Sequence, residues 1–194
     1  MKKVSMILIA FGAIFFMSFT TPIEKLNVDV SSSQLKWTGF HLAKSYEHWG
    51  HIDLKSGNIV TDGKKIVTGE FVIDMNTISN KDVEKTEDNI KLVGHLKSDD
   101  FFAVSRFPEA KLIIKSTERK SGSTYKTIAD LTIRGITKEI VFDTEINSIS
   151  KSELEAIAKF RVKRTDFEVM YGWSLQNIML DGEFEIDVKL IAKK

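Results

Sequence analysis

Lys65-Ile-Val-Thr-Gly-Glu-Phe-Val-Ile-Asp-Met75 is the run that decides the fold. Side chains alternate along a strand, so Val67, Gly69, Phe71, Ile73 and Met75 share one face and Thr68, Glu70 and Asp74 the other. An apolar face opposite a polar one is the pattern of a strand with its inner side on a core and its outer side in water.

Downstream the pattern changes. Ser79-Asn-Lys-Asp82 predicts a helix start, and Val83, Glu87, Ile90, Lys91 and Gly94 fit helical spacing, with Leu92, Val93 and Leu96 completing an apolar stripe. The helix is expected to break near Lys97, with Ser98 capping a second short turn over Asp99 to Phe102, so a helical insertion occupies about 81–102. Alternation then returns in Ala110–Thr117, Thr124–Arg134 and Ile136–Asn147, with Arg134-Gly135 as a turn, and closes the chain in Glu153–Arg164 and Gly182–Ile191. Upstream, Leu26–Val30, Gln34–Leu42, Tyr46–Leu54 and a short Gly57–Thr61 also read as strands, and Leu35, Trp37, Gly39 and His41 share a face.

Roughly eight strands at regular spacing, with turns between them, predict an all-β antiparallel sandwich or barrel. Closing the sheet into an eight-stranded barrel buries every apolar face together and removes exposed edges, so the barrel is the expected form. Such a barrel is filled by its own side chains or holds one slender ligand. The predicted inner wall is Leu35, Trp37, Phe71, Ile73, Met75, Leu112, Ile114, Leu131, Ile133, Phe142, Phe160 and Phe184, and a one-residue bulge would invert part of it.

Composition bounds the function. With 28 basic against 27 acidic side chains, no electrostatic footprint for nucleic acid exists. Thirteen phenylalanines against three tyrosines point to an oily interior. Lys2 and Lys3 before an apolar Val4–Phe16 read as an export signal over about residues 1–20, cleaved to leave a single domain at 21–194 with no stable membrane span. The chain is therefore expected in the periplasm, or secreted where no outer membrane exists. Cysteine is absent, which excludes disulfides, thiol chemistry and a cysteine-linked lipid anchor.

Few residues suggest catalysis. His48 and His51 are three apart on a strand, so they point to opposite faces and make a poor metal pair; no metal is expected. Asp99 and Asp100, with His95 four residues before, could split their protonation as an acid and a base, but adjacent acids at a helical turn are more often caps. Arg164 suits a structural ion pair. No nucleophile elbow, phosphate-cradling loop or zinc motif is present. The rings Phe101, Phe102, Phe107, Phe167, Tyr171 and Trp173 fall in the two irregular stretches, where they plug a barrel end or line the mouth of an apolar tunnel, with His95 and Arg164 as polar candidates there.

Trp37-Thr-Gly39, His48-Trp-Gly50, Lys55-Ser-Gly57, Gly69–Met75, Gly94-His-Leu-Lys-Ser-Asp-Asp-Phe-Phe102, Phe107-Pro108 and Asp130-Leu-Thr-Ile-Arg-Gly-Ile-Thr-Lys138 together resemble the YceI-like family of bacterial proteins, in the family's order from about Leu26 to Leu190. The resemblance implies an extended, lipocalin-like, eight-stranded barrel whose apolar cavity binds a polyisoprenoid or quinone-type chain. It also implies no required cofactor beyond that lipid, and export to the periplasm. The Tyr46–His51 segment is bulkier than the family pattern and 165–179 richer in aromatics, which implies a shortened tunnel. The leading expectation is thus a non-catalytic protein that stores, transports or sequesters an isoprenoid lipid. The alternatives are a hydrolase or isomerase using His95 with Asp99 or Asp100, and a ligand-free, stress-related interaction module. A homodimer is left open.

Overall fold

The computed structural model describes residues 23–42, 46–170 and 180–194. The expected export signal and the mouth candidates Tyr171 and Trp173 lie outside the described residues.

The strands are β1 (Glu24–Val28), β2 (Gln34–His41), β3 (Glu47–Thr61), β4 (Ile66–Asp74), β5 (Glu109–Ser121), β6 (Thr124–Ile133), β7 (Ile136–Ile149), β8 (Glu153–Lys163) and β9 (Leu180–Lys193), with helix α1 (Thr86–Lys97) between β4 and β5. β2 to β9 pair antiparallel in chain order, and β9 returns to β2, which closes an eight-stranded barrel. β1 pairs with Asn58–Thr61 of β3 and with Ala192 and Lys193 of β9, in the place that β2 leaves vacant. β1 and β2 are therefore one barrel strand interrupted at 29–33, where the Asp29 carboxylate accepts from Ser31 Oγ at 2.7 Å and Ser32 N at 3.1 Å.

Bulges decide which side chains face inward. β3 is one 15-residue strand rather than two, because its register with β4 slips by one residue at Lys55 and pairing resumes beyond it. A second slip pairs Val60 with Thr68 and Thr61 with Ile66, so Val67 is bulged out of the inward set and Ile66 is buried in its place. The clean alternation of 65–75 thus fails at its first residues. A third slip at Lys115 turns Thr117 inward.

The helix lies within the expected insertion at 81–102, but it starts later than expected. α1 begins at Thr86, four residues beyond Asp82, and its N-cap Lys85 makes no side-chain cap. Residues 78–83 form an extended strap instead: Ser79 N donates to His51 O and Lys81 N to Trp49 O, both at 2.9 Å. Asp82 and Asn80, the expected helix starters, serve the strap, with Asp82 Oδ1 accepting from Trp49 N at 2.7 Å and Asn80 Oδ1 from Val83 N at 3.0 Å. Asp99 and Asp100 are not caps. Asp99 Oδ1 accepts from Arg106 Nε at 3.3 Å, while Ser98 closes the helix C-terminus by donating from Oγ to His95 O at 2.7 Å. The 98–107 segment is tied to the β6–β7 hairpin, whose two turn residues, Arg134 and Gly135, both have positive φ. Arg134 Nη1 donates to the carbonyls of Asp99 and Phe101, and Phe107 packs on Gly135.

The barrel has unlike ends. At one, Leu26, Ile59, Ile66 and Leu154 fill the interior with almost no exposure. The buried hydroxyls there are partnered: Thr127 with Thr144 at 2.8 Å, Thr117 with Ile66 O, and Tyr125 with Lys64 O at 3.0 Å. At the other end lie α1, the 98–107 segment and a 3-10 turn at Arg164–Phe167. Among the described residues no helix is long and apolar enough to cross a membrane.

Candidate functional site

Between the plugged end and the helix end the barrel holds a cavity of about 230 Å³. All twelve side chains of the predicted inner wall border it, from Ile114 near the plug to Met75 and Phe184 near the helix. Small inward residues, Ala110, Ala156, Ala158 and Gly39, leave the space that larger ones would fill. Phe40, assigned to the outer face by alternation, sits at a register slip between Gly39 and His41 and also borders the cavity.

The mouth candidates separate. His95, Phe101, Phe102 and Arg164 border the cavity. α1 supplies Leu92, His95 and Leu96 from one face, and Phe101, Phe102 and Phe184 follow as edge-on pairs at 5.0 and 6.4 Å, so the helix and these rings cover the end. Phe107 and Phe167 do not reach the cavity: the first covers Gly135 and the second is buried in the core at 1% exposure. Arg164 is buried and anchors the 3-10 turn, its Nε and Nη1 donating to the carbonyls of Asp181 at 2.8 Å and Val169 at 2.9 Å. The carboxylates and imidazole of the catalytic alternative are not assembled into a polar site. Asp99 is turned outward to Arg106, and the His95 ring lies 5.4 Å from Phe101, where burial pushes its pKa down against the opposing charge of Asp100.

Beside His95 and Arg164, sequence reasoning missed four further polar residues at the mouth: His41, His48, Asp181 and Glu183. Strand parity was the available signal, since Gly39 pairs with His48 and His41 shares the face of Trp37. His48 and His51 do point to opposite faces, with His51 across from Lys36. Among the described residues no group of three or more His, Cys, Asp or Glu side chains could hold a metal ion. His48 Nδ1 lies 2.7 Å from Asp82 Oδ2, and the His41 ring stacks on Tyr46 at 3.6 Å and stands edge-on to His48 at 6.2 Å.

Burial alone would raise the pKa of Asp82, but hydrogen bonds from His48, Trp49 N and Asn80 outweigh it and hold the carboxyl below its usual range. A carboxylate with a depressed folded pKa stabilises the fold above its unfolded pKa of about 3.9, and that contribution is lost as pH falls through the folded value. The strap should therefore loosen below about pH 4. Trp37 Nε1 donates to Ser79 O at 3.0 Å, so tryptophan fluorescence should report the loosening as an acid transition that Asp82→Asn removes.

The wall has a seam between β7 and β8. β7 and β8 pair only from Thr144–Ala158 to Ile149–Leu154. Beyond that, toward the helix end, Phe142 and Phe160 stack at 4.3 Å and 21°, bordering both the cavity and an outer groove lined by Lys120, Asp143, Lys159 and Arg161. Two rings, rather than a hydrogen-bond ladder, close the barrel there, and Lys138, inward by parity, is exposed.

With this geometry established, comparison with known proteins identifies the family. A family model described as the YceI-like domain matches residues 26–192, nearly the whole barrel. This chain belongs to the YceI-like family. A UPF0312 protein of Staphylococcus aureus strain USA300 is 43% identical over 101 residues, 47% of this chain and 56% of that protein, so the match spans about half the length of such relatives. Among solved structures, Burkholderia cenocepacia BcnA superposes with a TM-score of 0.66 at 17% identity, covering 86% of this chain and 99% of BcnA. A polyisoprenoid binding domain from Saccharophagus degradans, implicated in plant cell wall breakdown, gives 0.66 at 16% identity over 87% and 97% of the two chains. At these identities the superpositions establish the shared YceI-like barrel.

Proposed function

We propose that this protein binds an isoprenoid lipid, a polyisoprenoid or quinone-type chain, within the barrel and stores, transports or sequesters it without catalysis. The observation that carries this reading is an almost wholly apolar cavity that is plugged at one end and carries its charged and imidazole side chains at the other. That shape suits a chain with one polar terminus. At about 0.8 kcal/mol per buried methylene, each five-carbon isoprene unit offers roughly 3 to 4 kcal/mol of gross transfer energy, so length supplies affinity with few polar contacts. The polyisoprenoid-binding description of the Saccharophagus relative supports the same ligand class. Lys2, Lys3 and the apolar run after them support export before the lipid is met.

Mass spectrometry of an organic extract of the purified chain should recover an isoprenoid in near-stoichiometric amount, and the extracted protein should rebind it. A barrel that is isolated empty and takes up no isoprenoid from detergent solution would refute the proposal. Cell fractionation should find the shortened chain outside the cytoplasm.

A further inference from the structure

The closed end of the cavity is a packed floor. Ile66, Ile114, Thr144, Ala156 and Leu190, from five different strands, border the cavity at its plugged end. Beyond them Leu26, Ile59, Leu154 and Ala192 belong to the same core at 0% exposure and do not border it. Ile66 joins the floor because the register slip between β3 and β4 turns it inward in place of Val67. Thr144, the polar member, is engaged at 2.8 Å by Thr127, which does not border the cavity. Its hydroxyl is already partnered, so what the floor offers a ligand is apolar contact.

The charged and imidazole side chains that border the cavity, His41, His48, His95, Arg164, Asp181 and Glu183, are gathered at the opposite end. A polar head pressed against the floor would lose its hydration and find no partner in exchange. Whatever its head group, an isoprenoid therefore lies with the tail terminus toward Ile66 and Leu190.

The strands measure the distance available to that tail. Ile66 to Met75 and Leu180 to Leu190 each run from the floor to the helix end and border the cavity at both limits. At about 3.3 Å per residue and a tilt of roughly 35 to 45°, these runs span roughly 20 to 25 Å along the barrel axis. An extended isoprene unit advances about 5 Å, being four carbon–carbon bonds of roughly 1.5 Å in zigzag.

Resting on the isoprenoid-carrier reading, we propose that this floor sets the chain length the barrel takes, with Ile66, Ala156 and Leu190 as the residues that fix it. A tail of about four to five isoprene units fills the cavity, and units beyond that stay in water at the mouth.

The test titrates the delipidated full chain with prenols of three to ten isoprene units in a fixed detergent. Ala156→Phe is compared with the native protein at each length, so that partition into detergent cancels. Ala156 pairs with Ile146 on β7 and Leu190 on β9, and a phenyl ring there raises the floor by roughly the length of one unit. Farnesol, with three units, should bind the two proteins within about twofold of each other, because it does not need the floor. Every prenol of five or more units should lose at least tenfold in the variant, by the same factor at each length, since one unit is displaced from apolar contact. Independently of any variant, a photoreactive group on the tail terminus of geranylgeraniol should label Ile66 or Leu190 of the native chain, and this measurement decides alone if Ala156→Phe fails to fold. A loss that is equal at all lengths from three units upward, no loss at any length, or a tail label that maps to the mouth would overturn the floor as a ruler while leaving the carrier intact. Failure of every prenol to bind the native protein would instead remove the carrier reading itself.

Discussion

Ala158→Trp is expected to abolish isoprenoid retention while leaving the barrel folded. Ala158 borders the cavity midway along its length, where β8 pairs with Thr144 on one side and Val188 on the other, next to the Phe142–Phe160 seam. An indole grown from this position occupies space that the native wall leaves open. It therefore escapes most of the 1 to 3 kcal/mol strain, roughly, that overpacking a filled core brings. Displacing even one isoprene unit forfeits roughly 3 to 4 kcal/mol of gross burial, on the order of a hundredfold in Kd. Ile113→Trp, on the outer face of β5 and 44% exposed, should alter neither binding nor stability. Titration with a fluorescent isoprenoid and thermal melting by circular dichroism together check the pair. Retention equal to the native protein in Ala158→Trp would place the lipid somewhere other than the barrel.

Gly50→Ala is expected to be the most damaging single methyl in the chain. A β-carbon at Gly50 would stand 1.7 Å from Ser79 O, 2.7 Å from Ser79 C and 2.9 Å from Asn80 Cα, all backbone atoms of the strap. No rotamer relieves such a contact, so the strap must leave β3. It then loses the bonds from Ser79 N and Lys81 N, the Trp37 indole contact and the Asp82 grip on His48. Overpacking strain with several lost hydrogen bonds amounts to roughly 3 to 5 kcal/mol. At about 2 to 4 °C per kcal/mol for a domain of this size, melting should fall by roughly 10 °C or more. Gly94→Ala is the contrast. Gly94 lies within α1 with nothing within 4 Å of the added carbon, so alanine should stabilise by roughly 0.5 to 1 kcal/mol. Equal melting temperatures for the two variants would contradict the docked strap.

The gain and loss across these variants follow from one division in the chain. In β6, alternation from the expected wall residues Leu131 and Ile133 carries through Ala129, Thr127 and Tyr125, all of them buried, because that strand pairs with β7 through an unbroken register. In β4 the same reasoning failed at Val67, since the pairing slip that buries Ile66 depends on how β3 and β4 align and leaves no mark in local composition. The helix start was misplaced for a related reason. Asp82 and Asn80 are good caps in isolation, and their hydrogen bonds went to β3 because the strap lies against it.

The mouth shows the same limit at the level of chemistry. His95, Asp99 and Asp100 drew attention as close neighbours in sequence, yet the arrangement that fixes an imidazole joins His48 to Asp82, 34 residues away. By itself the sequence determined the all-β class, which side chains share a face within each unbroken run, and the family, because period-two alternation and family motifs are local and survive any choice of strand partner. Only the tertiary structure decided which end is plugged, where the seam lies and which polar groups meet at the mouth. Those follow from barrel closure, in which a one-residue slip between neighbouring strands redirects every side chain beyond it.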